Sequence, residues 1–67
     1  AFRYQEIYSE MTALPEEFRV PLKMYFEGFK YKEIADELNL PIGTIKSRIF
    51  LARKQVAVAL SDPQAIA

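Results

Sequence analysis

The chain has 67 residues, of which 51% are hydrophobic and 13% aromatic, with no Cys, no His and a formal net charge of zero. A chain this short forms one domain at most and buries only about 60% of the surface that its unfolded form exposes. Without Cys or His, a disulfide framework and a conventional zinc site are both excluded, so the core must come from helix packing alone.

The composition is that of a globular protein and not of a disordered one. No apolar run approaches the roughly 20 residues that a membrane span needs, and the opening AFRYQEIY lacks the basic start and apolar stretch of a signal peptide. A cytoplasmic location is the expectation. Because the chain starts with Ala1 and not Met, it is expected to be a piece of a longer protein.

The zero net charge hides an uneven distribution. Residues 1–37 carry five cations against eight carboxylates, a net of −3, whereas residues 38–67 carry Lys46, Arg48, Arg53 and Lys54 against Asp62 alone, a net of +3. Such asymmetry between halves points to contact with nucleic acid or another polyanion at the basic end.

In chain order, Tyr4, Ile7, Met11 and Leu14 keep a helical period and predict a first helix over residues 2–14. Leu14-Pro15-Glu16-Glu17 reads as a fresh helix start, because Pro is tolerated in the first turn and acidic residues there complement the helix dipole. Phe18, Leu22, Tyr25, Phe26 and Phe29 continue the apolar face. Pro21 conflicts with it: lacking an N–H for the carbonyl of Glu17, it should kink the helix or mark where its regular part begins. Gly28, free to turn left-handed, is the predicted stop.

Tyr31, Ile34, Ala35 and Leu38 define a third, short helix over residues 31–38. Lys30 stands where a Ser, Thr or Asp cap would be expected, so this helix is predicted to start without a side-chain cap and to be weakly held there. Asn39 is the best candidate for a left-handed residue after glycine itself. Pro41 suits the first position of the next helix. That helix runs without a breaker to about Leu60, before Ser61-Asp62-Pro63 ends it, and the last four residues are expected to fray. Two amphipathic helices separated only by Asn39, Leu40 and Pro41 have the form of a helix-turn-helix. The predicted fold is therefore all-α: a small four-helix domain over residues 1–67, with the helix-turn-helix at about residues 31–60 and no winged element.

At about 100° per residue, Ile45, Ile49, Ala52 and Val56 form one stripe of the last helix that must face the other helices. Gly43, Ser47, Phe50 and Lys54 then lie near the centre of the outer face, Thr44, Lys46 and Leu51 toward its edges, and Arg48 and Arg53 on its flanks. This mixture of hydroxyls, cations and an aromatic suits a helix lying in a DNA major groove, where residues of its N-terminal part reach base edges and flanking cations meet phosphates. Gly43 would let the helix end approach the nucleic-acid backbone closely, and the free N–H groups of the first turn could point at a phosphate. The plainer alternative is that four cations form an ordinary solvated face. Phe50 is harder to explain that way, since a large outward aromatic is either a binding contact or covered by another part of the protein. Tyr31, Ile34, Leu38, Ile45 and Ile49 are core positions. No catalytic constellation, phosphate-cradling loop, cofactor site or metal site competes, so binding and not chemistry is expected.

The ordered strings Leu14-Pro15-Glu16-Glu17-Phe18-Arg19, Glu27-Gly28-Phe29, Tyr31-Lys32-Glu33-Ile34-Ala35 and Leu40-Pro41-Ile42-Gly43-Thr44-Ile45-Lys46-Ser47-Arg48-Ile49 resemble region 4 of bacterial sigma factors of the extracytoplasmic-function type. The resemblance implies recognition of the promoter −35 element in double-stranded DNA during transcription initiation, by a domain held on RNA polymerase and touching its β-subunit flap. By position it places Lys46, Ser47 and Phe50 near bases or their backbone, Gly43 and Thr44 at the helix start, and Arg48 and Arg53 as backbone or structural contacts, with Lys54 on the same face. Lys30, in place of a frequent Ser cap, would meet a phosphate, and Lys32 joins it as a candidate contact. Leu51 departs from a string that is often basic in the family, which implies a different base preference.

Two other readings compete. The output domain of a response regulator shares the Glu-Ile-Ala and Thr-x-Lys spacing, though the Leu-Pro-Glu-Glu start and the Gly-Thr-Ile-Lys-Ser-Arg string favour the sigma reading. The acidic, aromatic-rich first half could instead serve mainly as a protein-interaction surface for polymerase or an anti-sigma factor.

Overall fold

A computed structural model of the chain describes residues 4–61. Four helices follow one another, α1 (Tyr4–Thr12), α2 (Glu16–Phe26), α3 (Tyr31–Leu38) and α4 (Ile42–Ser61), with no strand among the described residues. The all-α expectation holds. The predicted start of α1 at Phe2, the Asp62-Pro63 stop and the frayed tail lie outside the described residues.

Helix α1 stops earlier than its apolar period suggested. Its last turn tightens, with the N–H groups of Ala13 and Leu14 donating to the carbonyls of Glu10 (3.2 Å) and Met11 (3.1 Å). Thr12 donates its hydroxyl to the carbonyl of Ser9 (2.8 Å), a local bond that satisfies a terminal carbonyl.

Both prolines that open helices act one position earlier than a first helical residue. Pro15 has φ −56° and ψ 150°, an extended backbone, and its carbonyl accepts the N–H groups of Phe18 (3.0 Å) and Arg19 (2.9 Å). The carbonyl of Pro41 likewise accepts from Thr44 (3.0 Å) and Ile45 (3.2 Å). Pro21 does not delay α2, which is already regular from Glu16 and continues through it. The Pro21 ring is fully buried, and burying an apolar side chain, worth about 1.5–3 kcal/mol, is of the same order as the roughly 3 kcal/mol that an interior proline costs.

Helices α2 and α3 close in the same way. After α2, Gly28 takes φ +102°, while its N–H donates to Tyr25 (3.1 Å) and that of Phe29 to Met24 (3.1 Å). After α3, Asn39 takes φ 56°, while its N–H donates to Asp36 (3.4 Å) and that of Leu40 to Ala35 (3.0 Å). This pair of bonds satisfies two orphan carbonyls at each helix end, and both left-handed residues are the ones the sequence singled out.

The start of α3 needs a correction. Lys30 makes no side-chain cap, but the Glu33 carboxylate reaches back and accepts the Lys30 backbone N–H (2.8 Å). That is the carboxylate half of a capping box, so the helix start is held by its third residue and not left loose.

Helix α4 packs against each of the other three. Its stripe of Ile45, Ile49, Ala52 and Val56 is buried against Met11 of α1, Leu22 of α2, and Ile34 and Ala35 of α3. No polar side chain is buried among the described residues, so the core offers no interior site for chemistry.

Two substitutions test these helix ends. Glu33→Ala should cost about 1 kcal/mol through loss of the cap, and Gly28→Ala about 1–2 kcal/mol because its Cβ disfavours the left-handed backbone. Nothing lies within 4 Å of the place that Cβ would take, so the cost is one of backbone alone. Each should lower the melting temperature in a circular-dichroism scan by about 4 °C or more; an unchanged melt would show that the end in question contributes nothing.

Candidate nucleic-acid interface

The buried stripe of α4 fixes its rotation, and that rotation decides which side chains face outward. Gly43, Lys46, Ser47, Phe50, Leu51, Arg53 and Lys54 are all exposed, whereas Thr44 and Arg48 are half-buried. Phe50 is 66% exposed, which answers the question the sequence left open: no other described part of the chain covers it. The 20 residues of α4 include no Asp or Glu, so its outer face carries cations with no neighbouring carboxylate on the same helix.

A Cβ added at Gly43 would meet nothing within 4 Å. The protein's own packing therefore does not require a glycine there. Lys30 and Lys32 are exposed at the start of α3.

One cation of α4 has a neighbour that gives it structural work, and a second lines a cleft. The Arg53 guanidinium sits over the ring of Tyr25, 5.6 Å from its centroid. Tyr25 in turn stacks on Tyr31, with centroids 5.5 Å apart and planes at 28°. This stack joins α4, α2 and α3 at one edge of the helix-turn-helix. Arg48 lines a cleft of about 270 Å³ with Glu16, Glu17, Val20, Pro21, Leu38 and Leu40, between the start of α2 and the end of α3.

Sequence reasoning placed both arginines on the flanks but missed the aromatic pair that receives Arg53. The available signal was weak: Tyr25 and Tyr31 belong to different helices, and no spacing rule links them across the Gly28 turn. The Glu33 cap was missed despite a clear signal, an acidic residue three positions after the residue preceding the helix.

Among the described residues no group of His, Cys, Asp or Glu is arranged to hold a metal, and no helix is long and apolar enough to cross a membrane. The geometry defines a four-helix helix-turn-helix domain with a cationic, carboxylate-free outer face on its last helix. The chain belongs to the family described as Sigma-70, region 4, whose profile matches residues 4–56.

Among its relatives, it is 40% identical over 55 residues to the RNA polymerase sigma-H factor of Pseudomonas aeruginosa, covering 81% of this chain and 28% of that protein. It is 36% identical over 53 residues to the ECF RNA polymerase sigma-E factors of Salmonella typhimurium and Escherichia coli K12, covering 78% of this chain and 28% of each. The chain thus corresponds to little more than a quarter of the length of these relatives. Family membership sets aside the response-regulator alternative.

The Arg53 stack can be tested by a double-mutant cycle. Arg53→Ala and Tyr25→Leu should each destabilise the domain, and their combination should cost less than the sum by about 0.5–1 kcal/mol, the worth of an exposed cation–π contact. Urea denaturation measures this directly; strictly additive effects would show that the guanidinium gains nothing from the ring.

Proposed function

We propose that this domain recognises the −35 element of promoter DNA as the region 4 module of a sigma factor, so that the RNA polymerase carrying it starts transcription at chosen sites. The observation that carries this reading is the outer face of α4, where Ser47, Phe50 and Lys54 are exposed in a line with Lys46 beside them. In this reading α4 lies in the major groove. Lys46, Ser47 and Phe50 approach bases or their backbone, Gly43 and Thr44 bring the helix start against a phosphate, and Lys54, Lys30 and Lys32 meet phosphates. Arg53 chiefly holds the helix in place through Tyr25, and Arg48 serves as a backbone or structural contact. The module binds and does not catalyse, needs no cofactor, and works in the cytoplasm, where the chromosome is.

The remaining partners follow from the same reading. Core polymerase, through its β flap, holds the domain near the promoter, and an anti-sigma factor is the natural inhibitor. The first half of the chain suits protein contact, being net acidic and leaving Phe26 and Phe29 exposed. Residues 1–67 act as one domain in this scheme.

Lys46→Ala, Ser47→Ala and Phe50→Ala should each weaken binding to a cognate promoter duplex while leaving the helical circular-dichroism spectrum intact. Gly43→Ala should keep or slightly raise stability, since Ala is the better helix former, and still weaken DNA binding. The logarithm of affinity should fall with the logarithm of salt concentration at a slope of about −4 or shallower, because the reading brings only the exposed Lys30, Lys32, Lys46 and Lys54 to phosphates. Fluorescence anisotropy reads all of these. Unchanged affinity in the three alanine variants would remove the base-reading assignment. Loss of core-polymerase capture on changing exposed Lys23, with DNA binding intact, would place a polymerase contact on α2.

A further inference from the structure

Leu51 is 43% exposed on α4, one helical step from Phe50, on the side opposite the buried stripe. Taking about 100° per residue, Phe50 and Leu51 straddle the line from Ser47 to Lys54, one on each side. Neither is used by the core, and each leaves apolar surface in water. They stand on a helix whose only charged side chains are cations. An apolar pair within a cationic, hydroxyl-bearing face matches one surface in particular: the major-groove edge of an A·T pair, where the thymine 5-methyl group projects between phosphate-lined walls.

We propose that Leu51 is a specificity-determining residue that selects thymine at one position of the DNA site by packing against its 5-methyl group, while Phe50 points to the other side of the Ser47–Lys54 line. The proposal rests on the promoter-binding reading above and names what that face prefers. Leu51 lies one turn beyond Ser47, with its Cβ about 5–6 Å from that of Ser47. The two therefore fall within reach of neighbouring base pairs, and the choice made by Leu51 is separable from the contacts of Lys46 and Ser47. Charge complementarity decides the occupant. Lys46 and Lys54 flank the pair and would meet phosphates, whereas a purely apolar protein partner would leave both cations facing nothing.

The test starts by enriching duplexes from a random library with the full 67-residue chain and with its Leu51→Ala variant. An exposed helical Leu→Ala change keeps the fold, which circular dichroism verifies. The wild-type chain should enrich a site with thymine at one position that the variant leaves unselected. Replacing that thymine by deoxyuridine removes only the methyl group; it should weaken wild-type binding about threefold to fivefold, the worth of one methyl taken out of water, and leave Leu51→Ala binding unchanged.

Equal wild-type affinity for thymine and deoxyuridine, or the same thymine selected by both proteins, overturns the proposal while the promoter reading stands. Failure of the wild-type chain to enrich any sequence, at a concentration where it measurably binds duplex DNA of any sequence, overturns both. If Leu51→Ala keeps the DNA choice but loses core-polymerase capture, the apolar pair belongs to a protein contact and the proposal also fails.

Discussion

Everything on the functional side of this domain depends on one packed stripe. Ile45, Ile49, Ala52 and Val56 sit on a single face of α4 and are buried against apolar side chains from all three other helices. Deleting any of the larger ones would leave a cavity in a core with little else to draw on, since no polar network, disulfide or metal supplements it among the described residues. Because the stripe cannot turn without exposing itself, the opposite side of α4 cannot turn either. The outward set of Gly43, Ser47, Phe50, Leu51 and Lys54 is thus the geometric complement of the core, held to a fixed orientation by the same contacts that make the protein stable.

The turn between α3 and α4 supplies the second constraint. Asn39 reverses the chain by a left-handed residue, half-buried Leu40 pins the turn to the core, and Pro41 offers its carbonyl to the first turn of α4. Three residues leave no slack, so the angle between the two helices is set locally. The Arg53, Tyr25 and Tyr31 stack reinforces that angle from the other side by tying α4 to both α2 and α3.

How much of this was legible in the sequence follows from the range of each interaction. The four helices, the two left-handed stops and the outer face of α4 came from periodicity and from Gly, Asn and Pro, whose effects act within a turn or two of chain. The Glu33 cap is equally local and was readable, but it sits at the third helical residue and not at Lys30, where a Ser, Thr or Asp cap is ordinarily sought. Pro21 shows the limit in the other direction. Its local rule predicts disruption, yet the buried ring gains from tertiary packing about what the backbone loses. The stack of Arg53 on Tyr25 and the cleft that Arg48 lines with residues of α2 and α3 are relations between helices, and no spacing within one helix encodes them. The roles of the outer-face residues were suggested by type and position, and the structure adds their exposure.

The balanced net charge becomes intelligible in the proposed role. With four cations on α4 and an excess of carboxylate elsewhere, the domain lacks the diffuse positive field that lets a free-standing DNA-binding protein hold any sequence tightly. In the proposed role that weakness is useful. A module delivered to the promoter by polymerase meets its site at a high effective concentration set by the tether, so its own contacts need to discriminate and not to capture. Strong non-specific attraction would reduce discrimination by holding the complex at every phosphate backbone equally. In that role, a face of few cations, two hydroxyls and two apolar side chains would instead place more of its binding energy in contacts that depend on the identity of the base.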